Sequence, residues 1–177
     1  MLFNFSAQFV DQFTALNVFR YITFRTGGAM LTALIVSFVC GPYIIRLLKS
    51  YQTEGQPIRE DGPEGHILTK AGTPTMGGFM ILLALVLATL LWADLRNGYI
   101  WAALVVTVAF GLIGFFDDYA KVSLNNSKGI SSKLKLLLQM VFALAATIWI
   151  TSLTSSPLAT SLALPFFKSV LIDLGWF

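Results

Sequence analysis

What this sequence lacks constrains it most. It has one cysteine, Cys40, placed inside an apolar run, so neither a disulfide framework nor a thiolate metal site can be built from it. Charged residues make up only 12% of the chain against 56% hydrophobic ones, and mean hydropathy reaches +0.74. A domain folded in water needs a polar exterior, and this composition cannot supply one. The formal charge of +3 gives no ground for a nucleic-acid partner, because the bases are spread over loops instead of gathered on one face. Nor do the opening residues read as a secretory leader, whose positive charge would precede its apolar stretch. The first base is Arg20, so this segment is expected to stay attached.

What is present is a series of uncharged stretches of the length that crosses about 30 Å of hydrocarbon. The spans are expected at about 26–48, 74–92, 99–116 and 136–153, the first kinked near Gly41-Pro42. Before them, Phe5, Phe9 and Phe13 recur every fourth position beside Asp11 and Gln12, the pattern of a helix lying in the membrane interface. The loops at about 49–73 and 117–135, with their margins, hold Arg46, Lys49, Arg59, Lys70, Lys121, Lys128, Lys133 and Lys135, eight of the twelve basic residues. The positive-inside rule makes those loops cytoplasmic. The expectation is therefore an all-α, polytopic transmembrane helical bundle of about four spans with its N-terminus periplasmic. From Phe166 the chain turns apolar again, as though a further span were starting.

Spans two to four carry no Asp, Glu, Lys, Arg or His in their interiors, where a transporter or proton relay would place them. The unusual residues stand instead at the cytoplasmic ends of spans, where a lipid head group and a soluble substrate can meet. One cluster is Lys70-Ala71-Gly72-Thr73-Pro74-Thr75-Met76-Gly77-Gly78. Thr73 and Pro74 suit the cap and first turn of a helix, and that alone would explain them. Free amides and the positive dipole end of such a helix also attract phosphate, to which Lys70 adds a flexible cation.

A second cluster, Asp117-Asp118-Tyr119-Ala120-Lys121, follows the third span. Two neighbouring carboxylates at a helix C-terminus repel each other and the dipole, so a cation is expected beside them. Mg²⁺ suits an Asp pair near phosphate; Lys121, four residues from Asp117, is the alternative partner. His66 lies in a polar loop, as either a solvated side chain or a substrate contact. Trp92, Tyr99 and Trp101 read as interface anchors, and Lys128, Lys133 and Lys135 as holders of anionic membrane lipid.

Asp61-Gly62-Pro63, His66, Lys70, Gly72-Thr73-Pro74-Thr75-Met76-Gly77-Gly78 and Gly114-Phe115-Phe116-Asp117-Asp118-Tyr119-Ala120-Lys121 together resemble the phospho-N-acetylmuramoyl-pentapeptide transferases, within the polyprenyl-phosphate N-acetylhexosamine-1-phosphate transferases. The likeness runs over essentially the whole chain, including Phe19-Arg20-Tyr21-Ile22-Thr23-Phe24-Arg25, and is to the family's N-terminal half. It implies a multi-pass enzyme of the bacterial inner membrane with its active face cytoplasmic. Such an enzyme moves phospho-MurNAc-pentapeptide from UDP-MurNAc-pentapeptide to undecaprenyl phosphate, releasing UMP and forming lipid I with Mg²⁺, and the full-length form is expected to pair as a homodimer. By position, Asp117 and Asp118 match the family's aspartate pair, in catalysis or at the metal. Lys70 and Thr75 match positions near the nucleotide, and Lys121 and Lys133 basic residues of the cytoplasmic cleft. Family members are longer, and their second half brings an Asn/Asp-rich loop, another metal-site aspartate and a histidine-rich loop. Turnover by this chain alone is therefore not expected. The alternative from another class is a noncatalytic four-helix module or transporter subunit, which has no use for an Asp pair beside a phosphate-ready helix start.

Overall fold

In the computed structural model, residues 1–52, 75–124, 129–154, 161–164, 167–173 and 175 are described. A short helix α1 (Leu2–Phe9) and a 3-10 turn (Thr14–Arg20) lead into α2 (Ile22–Tyr51), α3 (Gly78–Trp92), α4 (Gly98–Ser123) and α5 (Ser132–Leu153). The expected interfacial helix is thus two pieces. Phe5 and Phe9 meet within α1 with ring centres 4.8 Å apart, and Phe5 and Phe13 are exposed.

α2, α4 and α5 are each long and apolar enough to span a membrane. α3 has 15 residues, about 22 Å of helix, yet it still runs end to end against its neighbours. Along α2 and α3, Gly28 meets the Trp92 ring while Gly41 meets Met80, so each step along one helix is matched by a step back along the other. The same antiparallel register joins Phe79 to Phe115 and Leu82 to Gly111 across α3 and α4. Across α4 and α5 it joins Tyr99 to Thr154 by a 2.7 Å hydroxyl contact and Asp117 to Lys135 by an ion pair. An up-down-up-down bundle results.

Its packing is that of a membrane protein. The few buried apolar side chains include Ala84, Ala88, Ala102 and Ala109, small residues that let helices approach closely. Gly28 is required where it stands, because a β-carbon there would collide with the Trp92 ring. That ring also spends its indole N–H on Thr32 Oγ1 at 2.8 Å. α5 buries no residue, and Leu136, Leu137, Met140, Val141 and Leu144 lie on its surface, as suits acyl chains or further helices. Thr26, Thr32, Thr107, Thr147 and Thr151 turn their hydroxyls back onto carbonyls one turn earlier, which satisfies them in an apolar surrounding.

Two departures from the expected spans stand out. α3 begins at Gly78, because Met76 holds a φ of 72° and a left-handed residue cannot continue a right-handed helix. Thr73 and Pro74, expected as cap and first turn, lie outside the described residues. After α5, β1 (Ser161–Leu164) and β2 (Phe167–Asp173) pair antiparallel, with Leu162 opposite Ile172 and Ala163 opposite Leu171. The described part of the late apolar run, Phe167–Asp173, is therefore a strand and not the start of a helical span. Its β-branched and aromatic content suits the extended form.

Candidate functional site

Four element ends meet at one pole of the bundle: the end of α2, the start of α3, the end of α4 and the start of α5. Gln52, just past α2, is 6% exposed and reaches across to the turn before α3. Its side-chain oxygen accepts from the Thr75 amide at 2.8 Å, and its Nε2 donates to the Thr75 carbonyl at 3.4 Å. With its backbone held on both sides, Thr75 points its hydroxyl at Asp118 and donates to Oδ2 at 2.9 Å. Next to it Met76 is buried in its left-handed conformation, a strained setting of the kind found at functional turns.

The aspartates are neighbours in sequence with different surroundings. Asp117 is 6% exposed and both its oxygens are engaged. Oδ2 accepts from Lys121 Nζ at 2.8 Å and from Lys135 Nζ at 3.2 Å, while Oδ1 accepts from the Ile130 amide at 3.0 Å. Burial opposes a charged carboxylate, but two ammonium groups and an amide all favour it, so Asp117 is held as the anion. Gly129, at φ +58°, makes the Ile130 contact possible, since a β-carbon there would lie 2.6 Å from Asp117 Oδ1. Asp118 is more open. Its side chain is 31% exposed, and Oδ1 has only a 3.4 Å contact with Lys121.

The structure thus brings together Asp117, Asp118, Thr75 and Lys121. Lys133 is exposed and makes no hydrogen bond or ion pair among the described residues. Lys135, two residues further along α5, is the base of that helix that pairs with Asp117. Lys70 and His66 lie outside the described residues. Sequence reasoning treated Lys135 as a general lipid-holding base and passed over Gln52 and Gly129. A signal did exist for Lys135, which stands four residues beyond Ser131, and Ser131 caps α5 by accepting from the Leu134 amide. A base in a helix's first turn is unfavourable with the dipole unless an anion faces it.

Among the described residues no three acidic, histidine or cysteine side chains converge as a metal site. Mg²⁺ nevertheless commonly takes one or two carboxylates and draws its other ligands from phosphate and water. Asp118, which accepts from Thr75 and has one long contact with Lys121, has more acceptor capacity left for that use than Asp117, which accepts three bonds.

Fold and junction together define an integral membrane protein of the helical-bundle class, carrying a boundary site of carboxylate, hydroxyl and two ammonium groups suited to phosphate chemistry. Residues 70–82, which run into α3, match the phospho-N-acetylmuramoyl-pentapeptide-transferase signature 1. Over 176 residues, 99% of its length, the chain is 58% identical to the phospho-N-acetylmuramoyl-pentapeptide-transferase of Granulibacter bethesdensis (strain ATCC BAA-1260 / CGDNIH1). Signature and identity both make the chain similar to that transferase family. It spans 49% of that relative, about half its length.

Proposed function

We propose that this chain supplies one half of an active site that transfers phospho-MurNAc-pentapeptide from UDP-MurNAc-pentapeptide to undecaprenyl phosphate, with release of UMP and formation of lipid I. The observation that carries this reading is the 2.9 Å bond from Thr75 to Asp118, which ties the signature segment before α3 to the carboxylate pair ending α4. The reacting pole lies on the cytoplasmic side of the inner membrane, supported by the clustering of Arg46, Lys49, Lys121, Lys133 and Lys135 at that end of the helices.

In this reading the residues divide the work. Lys121 and Lys135, gathered by Asp117, present ammonium groups to phosphate oxygens of the substrates, as charge-assisted donors. Asp117 is the residue that holds them. Asp118 faces the substrate, where its carboxylate either takes a proton from the lipid phosphate or serves as a Mg²⁺ ligand. When bound there, Mg²⁺ would neutralise charge developing on the transferred diphosphate. Lys70 and Thr75 serve the nucleotide side, with Lys133 and His66 as further contacts at the rim of the cleft.

Given both substrates and Mg²⁺, a full-length protein that begins with this chain is expected to release UMP, and the 177-residue chain alone is not. Release by the isolated chain would mean that the site is complete without a second half. Absence of release by the full-length protein would overturn the assignment and favour a noncatalytic module.

A further inference from the structure

At the pole opposite Asp117, a recess of about 480 Å³ opens between α1, the start of α2, the end of α3 and the start of α4. It plays no part in the transfer proposed above. Its most unusual occupant is Arg25. The Nε of that guanidinium is buried without any acceptor, and Arg25 forms no ion pair among the described residues. Its guanidinium carbon sits 4.3 Å from the centre of the Phe3 ring, so one face of the group is covered by the ring, which supplies no acceptor to Nε. An uncompensated buried donor on a cation is costly in an apolar surrounding, and an acceptor brought by a ligand removes that cost.

Several other polar groups of the recess are already engaged. Thr26 donates to the Ile22 carbonyl, Trp92 to Thr32, and Asn97 accepts from the Tyr99 amide. Trp92 therefore offers only a ring wall, stacked on Phe19 at 5.8 Å. Five residues further into α2, Met30 is 69% exposed and provides an apolar path down from Arg25. A polar anion-binding edge above an exposed apolar path matches a molecule with an anionic head and hydrocarbon tails.

We propose that this recess binds one anionic phospholipid, its phosphate paired with Arg25 and its acyl chains lying along Met30. The planar guanidinium suits two phosphate oxygens at once, and at an interface the phosphate at hand is that of a lipid. Asp94 also lines the recess and opposes an anion, so it weakens binding.

Lipid binding to the intact, solubilised protein can be read by native mass spectrometry with phosphatidylglycerol, phosphatidylcholine and inorganic phosphate as probes. Phosphatidylglycerol is expected to bind more tightly than phosphatidylcholine, and Arg25→Gln to weaken it about tenfold, as for loss of a charge-assisted contact. Asp94→Asn, which can keep the local turn, is expected to tighten it. Equal binding of the two lipids, or unchanged binding in Arg25→Gln, would overturn the site. Displacement of the lipid by millimolar inorganic phosphate would overturn the lipid assignment. If Arg25→Gln fails to fold, the Asp94→Asn arm decides alone: tighter binding supports the site, unchanged binding refutes it.

Discussion

Gly129 carries more of the site than its lack of a side chain suggests. It holds φ at +58°, and a β-carbon there would lie 2.6 Å from Asp117 Oδ1 and 2.8 Å from Lys121 Cε. Gly129→Ala combines backbone strain with displacement of the buried carboxylate, and is expected to cost about 1–3 kcal/mol. Gly175 has a similar φ of +59° with open space around it, so Gly175→Ala measures the strain alone. A larger fall in melting temperature for Gly129→Ala than for Gly175→Ala in detergent checks the contact; equal falls would reduce it to strain. Of this site, Asp117, Asp118, Lys121 and Thr75 were legible in the sequence, because adjacent carboxylates and a Lys four residues on are unusual in so apolar a chain. Gln52, Gly129 and Lys135 were not. Their meaning lies in contacts with residues 12 to 23 positions away, as Gln52 to Thr75 and Lys135 to Asp117 illustrate, and no local pattern encodes that pairing.

Between elements, Asp117 acts as the clasp of α4 and α5, since three of its contacts come from Lys121, Ile130 and Lys135 on either side of the connecting loop. Asp117→Asn keeps the size but puts an amide against two ammonium groups, and is expected to destabilise by about 1–3 kcal/mol. Asp118→Asn still offers Thr75 a side-chain oxygen, so its melting temperature should stay near that of the unchanged protein. Thermal unfolding of the two variants side by side checks this, and equal stabilities would remove Asp117 from the clasp. The long helices α2, α4 and α5 were readable from uncharged length alone, with ends shifted by a few residues. The late start of α3 was not, because nothing in Thr75-Met76-Gly77 announces that the methionine, rather than the glycines that follow it and adopt such angles more freely, takes the left-handed turn. The final hairpin was missed for a related reason: a short apolar run has the same composition whether it becomes strand or helix.

For the whole molecule, the antiparallel register places the starts of α3 and α5 with the ends of α2 and α4, and the bases crowd that pole. Single cysteines at Asn126 and Asn97, in a Cys40→Ser background, are expected to differ in whole cells: an impermeant maleimide should label position 97 and not position 126. Labelling of position 126 from outside would invert the orientation and separate the carboxylate pair from a cytoplasmic nucleotide. The account rests above all on Asp118 as the substrate-facing carboxylate of this pole, which UMP release by the full-length protein tests most directly. Asp118→Asn should lower the rate by about 10²–10⁴-fold if the carboxylate moves a proton, or raise the Mg²⁺ concentration needed for half-maximal rate if it is a ligand. A normal rate with a normal Mg²⁺ dependence would contradict the account.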